Sequence, residues 1–189
     1  MTRRKKFKGE RLRRGIYILP NIFTSLNIFF GFYSVIAAIN GKYVAAALAI
    51  IIAAVFDLLD GKIARATHTT SKFGVEYDSL ADLVSFGLAP GLMMYLYALK
   101  PLGRIGWLAA FLFMVCGALR LARFNTQVGT ADKNYFQGLA SPSAAAIVAG
   151  SVWIGADQGI DPQTIAWAVA LLTVASGLLM VSNLSLIHI

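Results

Sequence analysis

The 189-residue chain is poor in several residue types that often carry chemistry: it has nine Asp and Glu, two His and one Cys. A single cysteine excludes an internal disulfide, so Cys116, which lies in an apolar segment, is predicted to be a packing residue. Neither histidine has a second His or Cys nearby, which argues against a zinc site. Charged residues make up only 14% of the chain, which is few for a soluble domain.

Apolar residues are abundant, at 58% of the chain, and they form six long runs. Each run is close to the roughly 20 residues that a helix needs to cross a bilayer. The sequence therefore predicts an all-α membrane protein with six transmembrane helices, the first opened by Pro20, which lacks an N–H group. The predicted spans are residues 18–39, 43–65, 78–99, 104–124, 139–157 and 163–183.

Basic residues are concentrated on one predicted side of the membrane. Eight of the 17 Lys and Arg residues lie in the first 14 positions, directly before the first span. This placement favours attachment to anionic lipid headgroups over nucleic-acid binding. The loops on the same side are also richer in Lys and Arg than the opposite loops, so the positive-inside rule predicts that both termini are cytoplasmic.

Two units are expected along the chain. Residues 1–15 form a basic cytoplasmic or interfacial segment, and residues 16–189 form the six-helix membrane domain. Residues 2–14 fit either an interfacial amphipathic helix or a disordered basic tail, because Phe7 and Leu12 are their only apolar anchors. No basic residue follows the last span, which favours a truncated C-terminus.

Four of the acids lie in or against apolar segments, at Asp57, Asp60, Asp78 and Asp82. A carboxylate at membrane depth costs roughly 2.5–3.5 kcal/mol, so four unpaired ones would cost about 10 kcal/mol, comparable to the stability of a whole domain. The first pair shares a face near the end of the second predicted helix, and the second pair shares a face at the start of the third. We therefore expect the four carboxylates to converge in a cavity near the inner leaflet.

Such a cluster of oxygen ligands favours Mg²⁺, Mn²⁺ or Ca²⁺, and two divalent ions would both neutralise it and polarise a phosphate. Gly61 and Ala64, on the face of the first acidic pair, leave room for a ligand, and Arg65 is a candidate phosphate donor. The alternative for each residue taken singly is an ion pair with Lys62 or Arg65, or helix packing through the small residues.

The spacing as a whole is similar to the signature of the CDP-alcohol phosphotransferase family. The matching string is Asp57-x2-Asp60-Gly61-x2-Ala64-Arg65-x8-Gly74-x3-Asp78-x3-Asp82, with every fixed position present. The resemblance implies a six-helix membrane enzyme that displaces CMP from a CDP-linked lipid or alcohol with two Mg²⁺ or Mn²⁺ ions. It implies that Asp57 and Asp78 are shared by both metals. Asp60 would complete one site, and Asp82 would complete the other and act as the catalytic general base.

Six residues are expected to bind the CDP moiety. The family resemblance implies such a role for Gly61, Arg65 and Ser71. Asn21 and Thr24 belong, with Asn27, to a polar stripe on the first helix, and this stripe fits contact with the nucleotide as well as it fits hydrogen bonds to a neighbouring helix. The full predicted set is Asn21, Thr24, Gly61, Ala64, Arg65 and Ser71.

Within the family, four segments resemble the CDP-diacylglycerol–serine O-phosphatidyltransferases. They are residues 19–27, 79–90, 117–125 and 138–146, with alanine at position 140 where a proline is more usual. The resemblance implies that CDP-diacylglycerol and L-serine are the substrates and that phosphatidylserine and CMP are the products. It also implies a homodimer. The charge distribution predicts that the active site faces the cytoplasm from the cytoplasmic membrane.

The acceptor pocket is expected to contain Asn27, Ser85, Arg120 and Arg123. The two arginines, at i and i+3 near the inner end of the fourth span, suit a carboxylate; contact with lipid phosphate or a purely topological role is the alternative. Ser85 lies one turn beyond Asp82 and is expected to line the same pocket.

Two other functions fit parts of the pattern. A sister enzyme of the family would accept glycerol 3-phosphate or an inositol phosphate, and a phosphorylated acceptor needs more cations near the pocket. A cation or proton transporter would use intramembrane acids as a relay. The acids cluster at one side and leave no acidic path through the remaining spans, which argues against a transporter.

Overall fold

The computed structural model describes residues 2–67, 71–127 and 138–182, with side chains from Pro20 onward except that of Gln127. Within these ranges the chain forms six helices and no strand. Five of the helices contain stretches long and apolar enough to cross a membrane, so the prediction of an all-α, multi-pass membrane protein is confirmed. The helices are α1 (Thr2–Ile39), α2 (Tyr43–Ala66), α3 (Lys72–Leu102), α4 (Arg104–Gln127), α5 (Ser141–Asp157) and α6 (Pro162–Val181).

Helix α5 corresponds to the fifth predicted span and is the shortest of the six. Its 17 residues extend over about 26 Å, slightly less than the roughly 30 Å of a hydrocarbon core. The helix is therefore too short for its length alone to establish a sixth membrane crossing, which stays a prediction.

Helix α1 is longer than expected. Pro20 lies inside it instead of opening it, so that prediction was wrong. Membrane helices tolerate an internal proline because nearby hydroxyls and neighbouring helices satisfy the backbone groups that it frees. The backbone is also helical across residues 15 and 16, where the two predicted units meet. The interfacial position of the basic segment stays a prediction.

Helix α3 begins at Lys72, six residues before the predicted start of the third span at Asp78. Ser71 caps it with an extended backbone, and its hydroxyl accepts the N–H of Gly74 at 3.0 Å. The helix contains two wider π-helical segments, Leu83–Leu88 and Tyr95–Leu99, and the first begins directly after Asp82. The predicted span of residues 78–99 lies within this helix, because hydropathy marks where the chain enters the bilayer, whereas the cap marks where the helix begins.

Small residues bring the helices together. The buried face of α2 consists mainly of alanines from Ala46 to Ala53. Helix α5 buries a similar face, made of Ala144, Ala145, Val148 and Ala149, and the two helices are in contact. Where α1 crosses α3, a Cβ at Gly31 would collide with the side chain and backbone of Ser85. Lipid tails are as apolar as the helix surfaces, so close van der Waals contact of this kind, rather than hydrophobic burial, holds membrane helices together.

Hydrogen bonds mark the two ends of the bundle. At one end the Leu139 N–H donates to the Leu179 carbonyl at 3.0 Å and places the start of α5 beside the end of α6. At the other end, Tyr43 donates to the Leu96 carbonyl at 3.1 Å and Tyr97 donates to the Ile160 carbonyl at 3.3 Å. We refer to this second end, around Tyr43, Tyr97 and Ile160, as the opposite end.

Candidate active site

Helix α2 carries the first two aspartates in its last turns. Asp60 is only 4% exposed, and Asp57, almost one turn earlier, is half-buried. The helix continues for six residues beyond Asp60 to Ala66, so both side chains are held by regular backbone. Their placement near the end of this helix is as predicted.

Helix α3 carries the other two. Asp78 and Asp82 are separated by one turn, and both are half-buried. The Ser71 cap means that more than one helical turn precedes Asp78. Asp78 therefore projects from an established helix, where the sequence had indicated a helix start.

The four carboxyl groups converge. Oxygens of Asp57, Asp60 and Asp78 lie within 4.8 Å of one another, and the carboxyl groups of Asp57 and Asp82 are within hydrogen-bonding distance. We refer to the end of the bundle that holds these four side chains as the acidic end. Carboxylates at this distance repel one another unless a cation or a proton lies between them.

The cluster fits a divalent metal. It offers only oxygen ligands from several side chains, which is the donor set that Mg²⁺ and Mn²⁺ prefer. One oxygen of Asp78, Oδ1, is buried and has no hydrogen-bond partner among the described groups. Buried polar atoms are normally satisfied, so an oxygen of this kind is suited to a ligand. That these residues bind metal stays a prediction.

Helix α1 contacts the acids directly. Thr24 Oγ1 donates to Asp60 Oδ2 at 2.7 Å, and Asn27 Nδ2 donates to Asp82 Oδ1 at 3.3 Å. Thr24 is 3% exposed and Asn27 is fully buried. Of the two interpretations of the polar stripe, the structure therefore shows the hydrogen bonds to neighbouring helices for these two residues. Asn27 does not line the cavity described next, whereas Thr24 does.

A cavity of about 200 Å³ opens beside the acids. All six residues predicted to bind CDP line it, together with Asp60 and Asp78. The structure thus brings the predicted nucleotide set together, although their role in binding stays untested. The full lining is Pro20, Asn21, Thr24, Asp60, Gly61, Ala64, Arg65, Ser71, Gly74, Val75 and Asp78.

Gly61 and Arg65 shape one wall of this cavity. A Cβ added to Gly61 would meet only the Arg65 Nη2 atom, at 3.9 Å, so the glycine faces open space. Arg65 Nε donates to the Gly61 carbonyl at 2.9 Å, which folds the exposed guanidinium back along its own helix. A small residue followed by a guanidinium one turn later is suited to binding a phosphate group closely.

The predicted acceptor residues are less closely grouped. Ser85 is fully buried, and its hydroxyl donates to the Asn27 carbonyl at 3.0 Å, so it connects α1 to α3 and does not line the cavity. Arg120 lies within electrostatic range of Asp82 and donates to Ser141 Oγ at 3.0 Å. Its Nε atom is buried without a hydrogen-bond partner among the described groups.

Arg120 and Arg123 line a second, much smaller cavity, of about 30 Å³, beside Phe124 and Met180. The structure does not bring Arg123 to the lining of the larger cavity. Sequence spacing correctly put both arginines on one face of α4, but it could not show which helix that face meets.

One polar network was missed. Ser79 Oγ and the Asn125 amide are 3.0 Å apart, and Asn125 also donates to Glu76 at 3.4 Å. This network attaches the last turns of α4 to α3 next to Asp78. Asn125 belongs to one of the segments that resemble the serine enzymes, but no spacing rule links it to Ser79, because the two lie 46 residues apart.

Known proteins resemble this chain over most of its length. The family model for CDP-alcohol phosphatidyltransferase matches residues 17–182. A CDP-diacylglycerol–serine O-phosphatidyltransferase of Helicobacter pylori is 46% identical over 133 residues, covering 70% of this chain and 56% of that protein. The Mycobacterium leprae protein of the same name is 35% identical over 181 residues, covering 92% and 60%. An archaetidylserine synthase of Methanothermobacter thermautotrophicus is 36% identical over 160 residues, covering 84% and 67%.

The chain thus spans between about half and two thirds of the length of these curated relatives. The family model covers nearly all of the chain, and the matched region contains the four aspartates, the cavity and the part of α1 that contacts the aspartates. The chain belongs to the CDP-alcohol phosphatidyltransferase family.

Proposed function

We propose that this protein is a phosphatidylserine synthase, which transfers the phosphatidyl group of CDP-diacylglycerol to the hydroxyl of L-serine and releases CMP. The observation that carries the proposal is the convergence of the Asp57, Asp60 and Asp78 carboxyl groups, from two membrane helices, beside a cavity lined by all six predicted nucleotide residues. The choice of serine is supported by the relatives, since those of Helicobacter pylori and Mycobacterium leprae are both named as serine O-phosphatidyltransferases.

In this proposal the carboxylates hold two divalent ions, Mg²⁺ or Mn²⁺. Asp57 and Asp78 would be shared, with Asp60 completing one site and Asp82 the other. When bound, such ions neutralise the cluster, orient the diphosphate and stabilise the charge on the departing CMP. Gly61 and Ala64 would allow the diphosphate to approach the backbone, and Arg65 and Ser71 would donate hydrogen bonds to it.

The reaction is a substitution at phosphorus. The serine hydroxyl oxygen forms a bond to the phosphorus of the phosphatidyl group, and the bond from that phosphorus to the CMP oxygen breaks, with its electron pair leaving on CMP. Asp82 would accept the hydroxyl proton as a general base. Arg120, which lies within electrostatic range of Asp82, is the better placed of the two arginines to pair with the serine carboxylate.

The proposed orientation places the acidic end in the cytoplasmic half of the cytoplasmic membrane, with six crossings and both termini inside. The positive-inside distribution supports it, because Lys62, Arg65 and Lys72 flank this end. Serine would arrive from the cytoplasm while the lipid tails stay in the inner leaflet. We also propose a homodimer, which cross-linking in native membranes would test.

Reconstitution tests the substrate and the metal together. Purified protein in liposomes that contain CDP-diacylglycerol should incorporate labelled serine into lipid and release CMP only when Mg²⁺ or Mn²⁺ is present. Chelation should stop the reaction, and returning the ion should restore it. Glycerol 3-phosphate and an inositol phosphate, supplied as competing acceptors, distinguish the sister enzymes. Preferential incorporation of either would overturn the assignment of serine.

Replacement of the proposed base tests the chemistry. Asp82→Asn should abolish turnover, because the amide cannot accept the hydroxyl proton. Glu76→Gln is the matched control, since it neutralises an exposed carboxylate on the same helix that lies outside the cluster. Full activity in Asp82→Asn would contradict the general-base role.

A further inference from the structure

One face of α1 touches both acidic helices. Thr24 and Asn27 are three residues apart, so they lie on adjacent turns of the same face. Thr24 donates to Asp60 on α2, and Asn27 donates to Asp82 on α3. One face of α1 therefore supplies a neutral hydrogen-bond donor to one carboxylate on each of the two helices that form the cluster.

The two donors are enclosed by protein. Thr24 is 3% exposed and Asn27 is fully buried, and Asp60, which receives the first bond, is 4% exposed. Loss of either donor would remove a side-chain partner from a carboxylate oxygen, and at Asp60, which lines the cavity, only water there could replace it. A carboxylate that lacks its donor is free to rotate away from its like-charged neighbours, and the spacing of the oxygens in the cluster would then change.

The position of α1 relative to α3 is set at the same point. The Ser85 hydroxyl donates to the carbonyl of Asn27 itself, and Gly31, one turn further along α1, lies against Ser85 so closely that a Cβ would collide with it. These contacts fix the backbone at Asn27, and the fixed backbone orients the Asn27 amide toward Asp82. Such pre-organisation is what a group needs in order to orient a neighbour.

We infer that Thr24 and Asn27 are positioning residues, which set the geometry of the metal ligands by orienting Asp60 and Asp82, and that α1 thereby tunes the two metal sites separately. The inference rests on the proposed metal site. It assigns Asn27 to the carboxylate cluster and not to the acceptor, and it gives Thr24 a role that does not depend on the nucleotide. Partners of this kind typically change metal affinity by about 10- to 100-fold when they are removed.

Mn²⁺ titration of the full chain without any nucleotide or lipid substrate tests the inference. Thr24→Val keeps the shape of the side chain and removes the donor, and it should weaken binding at the site completed by Asp60 by about 10- to 100-fold. Asn27→Leu should weaken the other site by a similar factor. A two-step Mn²⁺ isotherm in the wild type should lose a different step in each variant, and Thr24→Ser, which keeps the hydroxyl, should restore the first.

The matched control is Ser34→Ala. Ser34 is a fully buried hydroxyl on the same helix, and it donates to the Ala46 carbonyl at 2.8 Å, away from the acids. The control should bind Mn²⁺ like the wild type. If Thr24→Val does not give folded protein, Thr24→Ala removes the same hydroxyl without bulk and is titrated in its place.

The outcomes separate the two proposals. A wild type that binds no Mn²⁺ would overturn the metal site and the inference with it. A wild type that binds two ions, with Thr24→Val and Asn27→Leu both unchanged, would overturn the inference and leave the proposed function intact. Equal losses in these variants and in Ser34→Ala would also overturn it, because the effect would then come from helix packing.

Discussion

The acidic end and the opposite end of the bundle use buried polar groups in different ways. At the acidic end, side chains on α1 donate to carboxylates on α2 and α3, through Thr24 and Asn27. Toward the opposite end, the hydroxyls of Ser34 and Tyr43 donate to backbone carbonyls of neighbouring helices, and that of Tyr97 donates to the Ile160 carbonyl between α5 and α6.

The difference separates interactions that serve the fold from those that hold like charges together. A hydroxyl that donates to a backbone carbonyl meets its own need for a hydrogen-bond partner and adds a contact between helices. A donor that bonds to a carboxylate inside an acidic cluster stabilises an arrangement that is otherwise repulsive. Proteins retain such strain mainly at functional sites, where stability is traded for activity. Substitution of a carboxylate at the acidic end should therefore lower activity without lowering stability. Substitution in the packing of the opposite end should lower stability while the function of the acidic end is kept.

Among the predictions that contrast the two ends, the largest expected effect is at Asp78. Asp78→Asn removes a proposed shared ligand, and because metal stabilisation of the transition state contributes several kcal/mol, turnover should fall by at least about a thousandfold. The same substitution removes one negative charge from a repulsive cluster, so the melting temperature in chelator should stay the same or rise. Serine incorporation and thermal unfolding in detergent measure the two effects. Turnover within tenfold of the wild type would show that Asp78 is not a shared metal ligand.

The next effect is at Gly155 in the opposite end. A Cβ at this position would lie 2.5 Å from the Tyr97 hydroxyl. Gly155→Val should displace Tyr97 and cost about 1–3 kcal/mol of stability, as overpacking usually does. The melting temperature should fall while Mn²⁺ affinity is kept. Gly150→Ala on the same helix is the control, because its added Cβ meets nothing within 4 Å. A loss of Mn²⁺ affinity in Gly155→Val would show that the two ends are coupled.

A smaller effect, of mixed sign, is expected at Gly61. Gly61→Ala should stabilise α2 by roughly 0.5–1 kcal/mol, since glycine inside a helix is unfavourable and the added methyl group has room. The same methyl group enters the cavity, so the KM for CDP-diacylglycerol should rise by about tenfold, equivalent to about 1.4 kcal/mol. Gly150→Ala should gain stability without this change in KM. An unchanged KM in Gly61→Ala would show that Gly61 is not part of the nucleotide site.

The smallest effect is at Ser34. Ser34→Ala removes one hydrogen bond between α1 and α2, and bonds of this type in membrane proteins contribute about 0.6 kcal/mol on average. A small fall in melting temperature with unchanged turnover is expected. A large fall in turnover would mean that this contact between α1 and α2 also controls the arrangement of the carboxylates at the acidic end.

The sequence was a good guide wherever a single local rule applied. Long apolar runs predicted the helices, because a bilayer demands a fixed length of apolar chain. The spacing of Asp57 with Asp60, and of Asp78 with Asp82, predicted shared faces, because helical periodicity is constant. The start of α3 also has a local signal, since Ser71 is a good N-cap residue, whereas hydropathy marks only the apolar part of the helix.

Contacts between helices were less predictable. The polar stripe of α1 left two interpretations open, and only the packed structure shows that Thr24 and Asn27 reach Asp60 and Asp82. Ser85 has the spacing of a pocket residue, yet it faces the backbone of α1. In each case the outcome depends on which helix lies opposite, and periodicity within one helix carries no information about its neighbour.

Local sequence patterns were enough to identify a helical membrane protein with two pairs of acids near the junction of two helices, and the family signature that these acids complete. The packed helices were needed to show that three of the carboxyl groups approach within 4.8 Å, that α1 supplies the donors, and that the nucleotide residues surround one cavity. The reason is that helix formation and bilayer insertion depend on residues close together in the chain. The relative rotation and depth of the helices depend instead on close packing and hydrogen bonds between residues far apart in it.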